Sequence, residues 1–338
     1  MSAENPRPVG RVDAFQRKHP FIGFPIAVIY KYFDDQGAYL AAIITYYAFI
    51  AIFPLLLLST SILGFLVQGD DALRDRLLDS ALSQFPIIGS ELGTPQGLQG
   101  STSAIVIGSI TAIYGAMGLG QAVQNAANIA WSVPRNSRAN PFILRLRSLI
   151  FLSISGIGIL LLAIATSLLA NPNSFGTELQ STIGWASRII GFLLTLGIFV
   201  AVFRLISLRR AKTRAVLPGA VVTAILWQGL QYIGNTYVRE VIGKANQVNQ
   251  TFALVLGLLA FVYIAAMMVV LGLEVNVVLR RKLYPRALLT PFTDNVILTE
   301  ADQLAYSSYA KSQRHKGFQS VEVTFEERLP QDAPTNQG

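Results

Sequence analysis

Amide side chains recur at helical spacing inside two long apolar stretches of this chain. The first set is Gln121, Gln124, Asn125 and Asn128, whose steps of three and four put them on one face of a helix. An amide among apolar residues either bonds to a neighbouring helix or lines a polar path, and both interpretations are open. In either role the side chain needs a partner, because an unpaired polar group in hydrocarbon is costly.

A second set repeats part of this spacing 107 residues later. Its members are Gln228, Gln231 and Asn235, in the same Q-x-x-Q-x-x-x-N pattern as three amides of the first set. The two stretches are predicted to be the middle helices of two three-helix halves that run in opposite directions. Many transporters are built from such inverted repeats, although three matched amides also arise by chance.

Two charged residues also lie within apolar stretches, where charges are rare and often functional. Glu274 is predicted near the inner membrane surface. It is expected either to pair with a basic residue such as Arg204, Arg209 or Arg280, or to bind a proton or cation. Arg188 is predicted about two turns below the outer surface. It is expected to extend to the headgroups, or to hold an anionic group within the bundle.

Tyr46, Tyr47 and Pro54 lie in the middle of the first apolar stretch. Tyrosine prefers the membrane interface, so a pair at mid-depth is expected to face other helices. Pro54 frees a backbone carbonyl and is expected to tilt or kink the helix. Packing and gating both agree with this pattern.

Enzymatic chemistry finds little support in the composition. The chain has no cysteine, and its two histidines, His19 and His315, lie far apart near the ends. No pair of residues has metal-ligand spacing, and no phosphate-binding loop of the G-x-x-x-x-G-K-[ST] type is present. We therefore expect no catalytic site, no metal and no cofactor.

The apolar stretches predict an all-α membrane protein. Hydrophobic residues make up 52% of the chain and charged residues 14%, with a mean hydropathy of +0.47. About 20 apolar residues suffice to cross a bilayer. Six stretches meet this requirement, at about 39–67, 104–131, 148–170, 182–203, 215–237 and 251–279. The predicted fold is a polytopic bundle of six transmembrane helices with additional interfacial amphipathic helices.

Lysine and arginine are concentrated in alternate gaps between these stretches. The gaps before the first, after the second, after the fourth and after the sixth hold 5, 4, 5 and 8 of the 27 basic residues. Basic loops are retained in the cytoplasm, so both termini are predicted to be cytoplasmic. The net charge of +8 is explained by this bias, and no nucleic-acid partner is expected.

Three regions are predicted along the chain. Residues 1–36 form a cytoplasmic segment with an interfacial helix over 21–36, and residues 37–283 form the transmembrane domain. Residues 284–338 form a polar cytoplasmic tail, expected to be disordered in part or loosely folded. An amphipathic helix is predicted over 70–85 on the outer face.

Four short segments together resemble the YihY/BrkB family of bacterial inner-membrane proteins. They are Tyr46-Tyr47 to Pro54, Asn128-Ile-Ala-Trp131, Pro218-Gly219-Ala220 leading to Trp227, and Leu271-Gly272-Leu-Glu274-Val-Asn276. One departure is Phe261-Val-Tyr263, where the family pattern has Trp-x-Tyr. The resemblance covers about residues 30–285.

The resemblance implies a multi-pass protein of the bacterial inner membrane that contributes to envelope integrity. Family members also carry the labels virulence factor and ribonuclease BN. The nuclease label conflicts with this sequence, because phosphodiester hydrolysis generally needs metal-binding side chains gathered at one site. We expect the label to be inherited error.

Two functional hypotheses follow. The first is a transporter or translocation factor for lipid-like or other amphipathic envelope components, with basic loop ends that bind anionic headgroups at the cytoplasmic face. The second is a non-transporting scaffold that recruits envelope proteins through its tails; a channel for ions or small solutes is a weaker third. Small residues in the third stretch also permit a homo-oligomer: Ser153, Ser155, Gly156 and Gly158.

Overall fold

The computed structural model describes residues 10–66, 102–169, 180–207, 212–244, 247–294 and 296–326. Throughout these ranges the regular structure is helical and no strand occurs. The predicted outer helix at 70–85 lies outside them. The helices are α1 Arg11–Lys18, α2 Pro20–Asp34, α3 Gly37–Leu66, α4 Thr102–Ala130, α5 Pro141–Leu169, α6 Gln180–Ile206, α7 Thr213–Tyr237, α8 Gln247–Arg281 and α9 Glu300–Ser312.

The six long helices α3 to α8 correspond to the six predicted stretches. The clearest difference is at α5, which begins at Pro141 and so includes Arg145 and Arg147, residues that the sequence placed in a loop. Arginines in the second turn need no loop, because the apolar residues around them continue the helix. α3 runs without interruption from Gly37 to Leu66 and contains Pro54, whose side chain lies outside the described residues.

The long helices pack in chain order and the last returns to the first. α3 packs against α4, α4 against α5, α5 against α6, α6 against α7, and α7 against α8, while α8 also packs against α3. The contacts therefore close a ring. Small buried residues allow the backbones to approach, among them Ala51, Ala116, Ala126, Ala127 and Ala220.

By length and composition, four helical segments can cross a membrane. They are Pro141–Ile159, Arg188–Ile206, Thr213–Ile242 and Phe252–Arg281. A fifth crossing is possible if Pro20–Asp34 and Gly37–Ile52, which meet at an angle of 66°, act as one broken span. The protein is thus a multi-pass, all-helical membrane protein as far as the structure describes it.

α2 packs more deeply than a helix lying along the bilayer surface would. It contacts α8, and its residues Ala27, Val28, Lys31 and Tyr32 are buried. The chain then reverses at Gln36, which adopts a positive φ of 55°, and α3 begins at Gly37. This packing brings a lysine and two aspartates from the end of α2 into the protein interior.

The first part of the tail is folded, so the expectation of a loosely ordered tail from residue 284 is wrong for residues up to 312. Arg286 is fully buried and pairs with Asp34 of α2 and Asp302 of α9. Thr299 and Asp302 form a reciprocal capping box at the start of α9. Polar composition did not prevent folding here, because ion pairs and caps supplement the buried apolar residues Ala287, Ala301 and Ala305.

Candidate functional site

Three charged side chains meet where the end of α2 packs against α8. We call Lys31, Asp35 and Glu274 the ionic cluster. Each is at most 3% exposed, and Glu274 is fully buried. Lys31 forms an ion pair with Asp35 four residues later, and its Nζ lies 3.7 Å from Oε2 of Glu274. A buried ion of either sign is costly unless it is paired, so such a cluster is a strong candidate for function.

The C-terminal end of α4 supplies backbone acceptors to the same region. Lys31 Nζ donates to the carbonyl oxygen of Ala130 at 3.3 Å, and Arg281 donates to that of Trp131. Helix-terminal carbonyls have no partner within their own helix, so cations are favourable there. The charges of α2 and α8 therefore also hold the end of α4.

The carboxyl group of Glu274 has fewer hydrogen-bond partners than the side chains of its neighbours Lys31 and Asp35. Neither of its carboxyl oxygens accepts a hydrogen bond from a residue that the structure describes. The carboxyl group of Asp35 is close enough to interact with it directly. Tyr32, whose buried hydroxyl has no hydrogen-bond partner among the described residues, also interacts with Glu274.

The sequence placed Glu274 within an apolar helix, and among the described residues its ion-pair partner is Lys31. Of the expected partners, Arg204 and Arg280 form no ion pair with it in the described part of the chain, and Arg209 lies outside the described residues. Lys31 and Asp35 were read as the polar side of an interfacial helix. Their spacing of four residues was the available signal, because it allows an ion pair on one helix face.

A groove opens between α3, α4 and α5. Its volume is about 370 Å³, within the range of small-molecule sites. Polar and apolar side chains alternate along its wall: Tyr47, Tyr114, Met117, Gly118, Gln121, Ala122, Asn125 and Arg145. This mixture suits a ligand with a charged end and an apolar body.

Positive charge surrounds the polar end of the groove. Arg145 lines it, and Nη1 of Arg138 donates to Oδ1 of Asn125 at 3.2 Å. Burial lowers the pKa of Arg138, and the charge of Arg135 lowers it further. The charge of Arg138 thus lies next to Asn125, a residue of the groove wall.

The four amides of α4 divide into two pairs with different surroundings. Gln124 and Asn128 are buried, whereas Gln121 and Asn125 are exposed and line the groove. Nε2 of Gln124 donates to Oγ of Ser148 on α5 at 3.0 Å and to the Leu144 carbonyl oxygen at 3.1 Å. One edge of the shared helix face therefore joins helices, and the other edge faces the groove.

The amides of α7 do not match those of α4 in position. Gln228 and Asn235 are exposed and Gln231 is half-buried. Asn128 is buried, yet Asn235 at the matching position of α7 is not. The two amide sets therefore lie in different surroundings.

Two further expectations meet different outcomes. Tyr47 packs over Gly118 and lines the groove, but Tyr46 is 60% exposed, so only one of the pair faces other helices. The two rings contact each other edge to face. Arg188 is exposed and lies 5.2 Å from the ring of Trp185, an arrangement of the cation–π kind.

A comparison with protein-family models finds one match, described as virulence factor BrkB, over residues 28–294. The chain belongs to the BrkB family. No curated protein and no solved structure matches it. The family match includes both the ionic cluster and the groove, and it ends before α9.

Two segments that resembled the BrkB family pattern meet in space. Gly219 of α7 lies against Gly272 of α8, where a Cβ would collide with the Gly272 carbonyl oxygen. The backbone N–H of Gly219 donates to Oδ1 of Asn276 at 2.7 Å. The glycines permit the close approach, and Asn276 fixes the register of the two helices.

The two tryptophans of the family pattern have different roles. Trp227 packs edge to face between Phe199 of α6 and Phe261 of α8. Trp131 ends α4, and its carbonyl oxygen accepts the bond from Arg281. Within the described part of this BrkB family member, no three acidic or histidine side chains come together as a metal site would require.

Proposed function

We propose that this BrkB family protein translocates anionic, lipid-like components of the cell envelope across the bacterial inner membrane. In this proposal the chain crosses the membrane six times and both termini are cytoplasmic. It has no enzymatic activity and needs no cofactor. The observation that carries the proposal is the groove between α3, α4 and α5, which combines an arginine and two amides with aromatic and apolar walls.

The proposed orientation puts the polar end of the groove at the inner leaflet. Asn125 lies about one and a half turns before the end of α4, and Arg145 lies in the second turn of α5. Both are therefore near the level of the headgroups. A phosphate at this level would be held by Arg145 and by the amides of Gln121 and Asn125, since charge-assisted hydrogen bonds to phosphate are strong.

The exposed apolar surface of α5 supports a lipid as the ligand. Phe142, Leu146, Leu149 and Ile150 are exposed on this helix beside the groove. A lipid whose headgroup occupies the groove could pack its acyl chains along this apolar surface. A water-soluble anion has no apolar part that could make such contacts.

The test is translocation of a labelled anionic phospholipid by the purified protein in liposomes. Arg145→Gln is expected to reduce the rate at least about tenfold, as loss of a charge-assisted bond of about 1.5–3 kcal/mol implies. Arg147→Gln is the matched control. Arg147 lies two residues away on α5, does not line the groove, and is expected to be dispensable.

The scaffold hypothesis makes the opposite prediction. A folded wild-type protein that moves no lipid above empty liposomes would overturn the transport proposal. Equal rates in the two arginine variants would also contradict it, because the groove would then not be the site. Envelope protein partners of the tail would become the next candidates.

A further inference from the structure

We propose that Glu274 is a proton-binding site and that α2 detects its charge through Lys31. The inference needs no assumption about the transported molecule. It rests on the burial of Glu274, on the geometry of the ionic cluster, and on the position of Lys31 between two carboxylates. The ligand is the proton itself.

The first step concerns the ionised form of Glu274. A fully buried carboxylate that accepts no hydrogen bond loses its hydration without replacement. The cost is of order several kcal/mol. Its nearest cation, Lys31, lies at 3.7 Å and is already paired with Asp35. The ionised form of Glu274 is therefore the least satisfied charge of the ionic cluster.

The second step concerns the protonated form. The neighbouring carboxylate of Asp35 can accept a hydrogen bond from a protonated Glu274, so the two groups can share one proton. Lys31 then keeps its ion pair with Asp35 and its bond to Ala130. The structure contains both of these Lys31 contacts.

The third step is what loss of the proton does. A negative Glu274 attracts Lys31 and repels Asp35, which lie on α2 and on the turn after it. Lys31 Nζ would move toward Glu274 and weaken its bond to the Ala130 carbonyl oxygen at the end of α4. Binding and release of one proton at Glu274 would thereby change how α2, α4 and α8 are joined.

Other charged and titratable groups interact with Glu274, or with its neighbours, within the described part of the chain. Lys31, Asp35 and Tyr32, from α2 and its following turn, interact with Glu274 itself. Tyr263 of α8 interacts with Tyr32, while Arg281 of α8 and Asp34 of α2 interact with Asp35. The α4 end contributes the carbonyl oxygens of Ala130 and Trp131. Each titratable neighbour can therefore be tested by substitution.

The experiment is infrared difference spectroscopy of the full-length protein in detergent during a pH titration. A protonated carboxyl has a carbonyl absorption that disappears on ionisation. We expect such a band near neutral pH in the wild type and its loss in Glu274→Gln. No substrate is present, so the result is independent of the proposed transport.

Substitutions at two neighbouring residues are expected to shift the proton affinity of Glu274 in opposite directions. They keep the inference testable if Glu274→Gln fails to fold. Asp35→Asn removes the competitor for Lys31, so proton affinity at Glu274 is expected to fall about tenfold or more. Lys31→Gln removes the nearest cation, so the affinity is expected to rise. A Glu274 that stays ionised at every pH, or a band that neither substitution moves, would overturn the inference.

Discussion

Asp34 and Asp35 are adjacent in the chain, yet their carboxylates belong to different ion-pair networks. Asp34 accepts a hydrogen bond from Arg286 of the tail, while Asp35 pairs with Lys31 of the ionic cluster. The end of α2 therefore connects the C-terminal tail to the long helices through two neighbouring residues. If a change in the charge of Glu274 moved α2, the movement would also displace the tail through Asp34.

The first prediction tests this connection at Arg286. Arg286→Met is expected to weaken docking of α9 by about 3–5 kcal/mol, because it leaves Asp34 and the buried Asp302 without their common cation. Hydrogen exchange of the α9 backbone should become at least tenfold faster. The same variant should leave the infrared band of Glu274 in place, since Asp35 and Lys31 are not altered.

Arg314→Met is the matched control for Arg286→Met. Arg314 makes one exposed contact, from Nε to Oδ1 of Asn136 at 3.4 Å. Its substitution is expected to change α9 exchange by less than about 0.5 kcal/mol. Equal exchange rates in both variants would show that the buried ion pairs do not hold the tail.

The second prediction concerns the pH dependence of tail docking at α1. Burial raises the pKa of Asp13, but hydrogen bonds from Arg17 and Gln16, the Arg17 charge and the Leu288 N–H outweigh it, so the pKa is lowered. A lowered pKa stabilises docking above the unfolded value of about 3.9. That stability is lost as the pH falls through the lower, folded-state pKa.

The measurement is hydrogen exchange at Leu288, whose N–H donates to Asp13. Comparison with Asp13→Asn at each pH removes the intrinsic effect of pH on exchange. At pH 6 the Leu288 amide should exchange more slowly in the wild type than in Asp13→Asn. This difference in exchange rate should shrink as the pH falls below about 4. A constant difference over this range would contradict the assignment.

The third prediction tests the close crossing of α7 and α8. Gly219→Ala is expected to destabilise the protein by about 1–3 kcal/mol, because the added Cβ would overlap the Gly272 carbonyl oxygen. Gly229→Ala in the same helix meets no described atom within 4 Å and should stabilise by about 0.5–1 kcal/mol. Thermal unfolding in one detergent compares the pair, and similar midpoints would refute the crossing.

The fourth prediction separates the two roles of the α4 amides. Gln124→Leu is expected to cost about 1–3 kcal/mol, since it removes the two hydrogen bonds that join α4 to Leu144 and Ser148 of α5. Gln121→Leu should leave stability nearly unchanged and slow lipid translocation instead, because Gln121 is exposed in the groove. If Gln121→Leu destabilised the protein instead, the assignment of Gln121 to the groove wall would be contradicted.

Much of the architecture was readable from local composition. The six apolar stretches, the family motifs and the burial of Glu274 within a helix all depend on residues close together in the chain. The helical amide spacing also predicted that Gln124 and Asn128 would lie on one face. A periodicity of 3.6 residues cannot show which edge of a helix face is covered by a neighbouring helix. Here the boundary between buried and exposed side chains divides the four amides of α4.

The folded tail and the partner of Glu274 depended on tertiary contacts. Arg286 reaches Asp34 across 252 residues of chain, and Lys31 reaches Glu274 across a similar separation. A charged residue in a polar segment is most often solvated, so sequence alone favoured a loose tail and an interfacial α2. Composition and periodicity determined the helices and their apolar character. Only the packing of α2 against α8 decided that the charges of the ionic cluster are buried together. An ion shielded from water is stabilised mainly by its nearest counter-ion, so this packing also set the partner of Glu274.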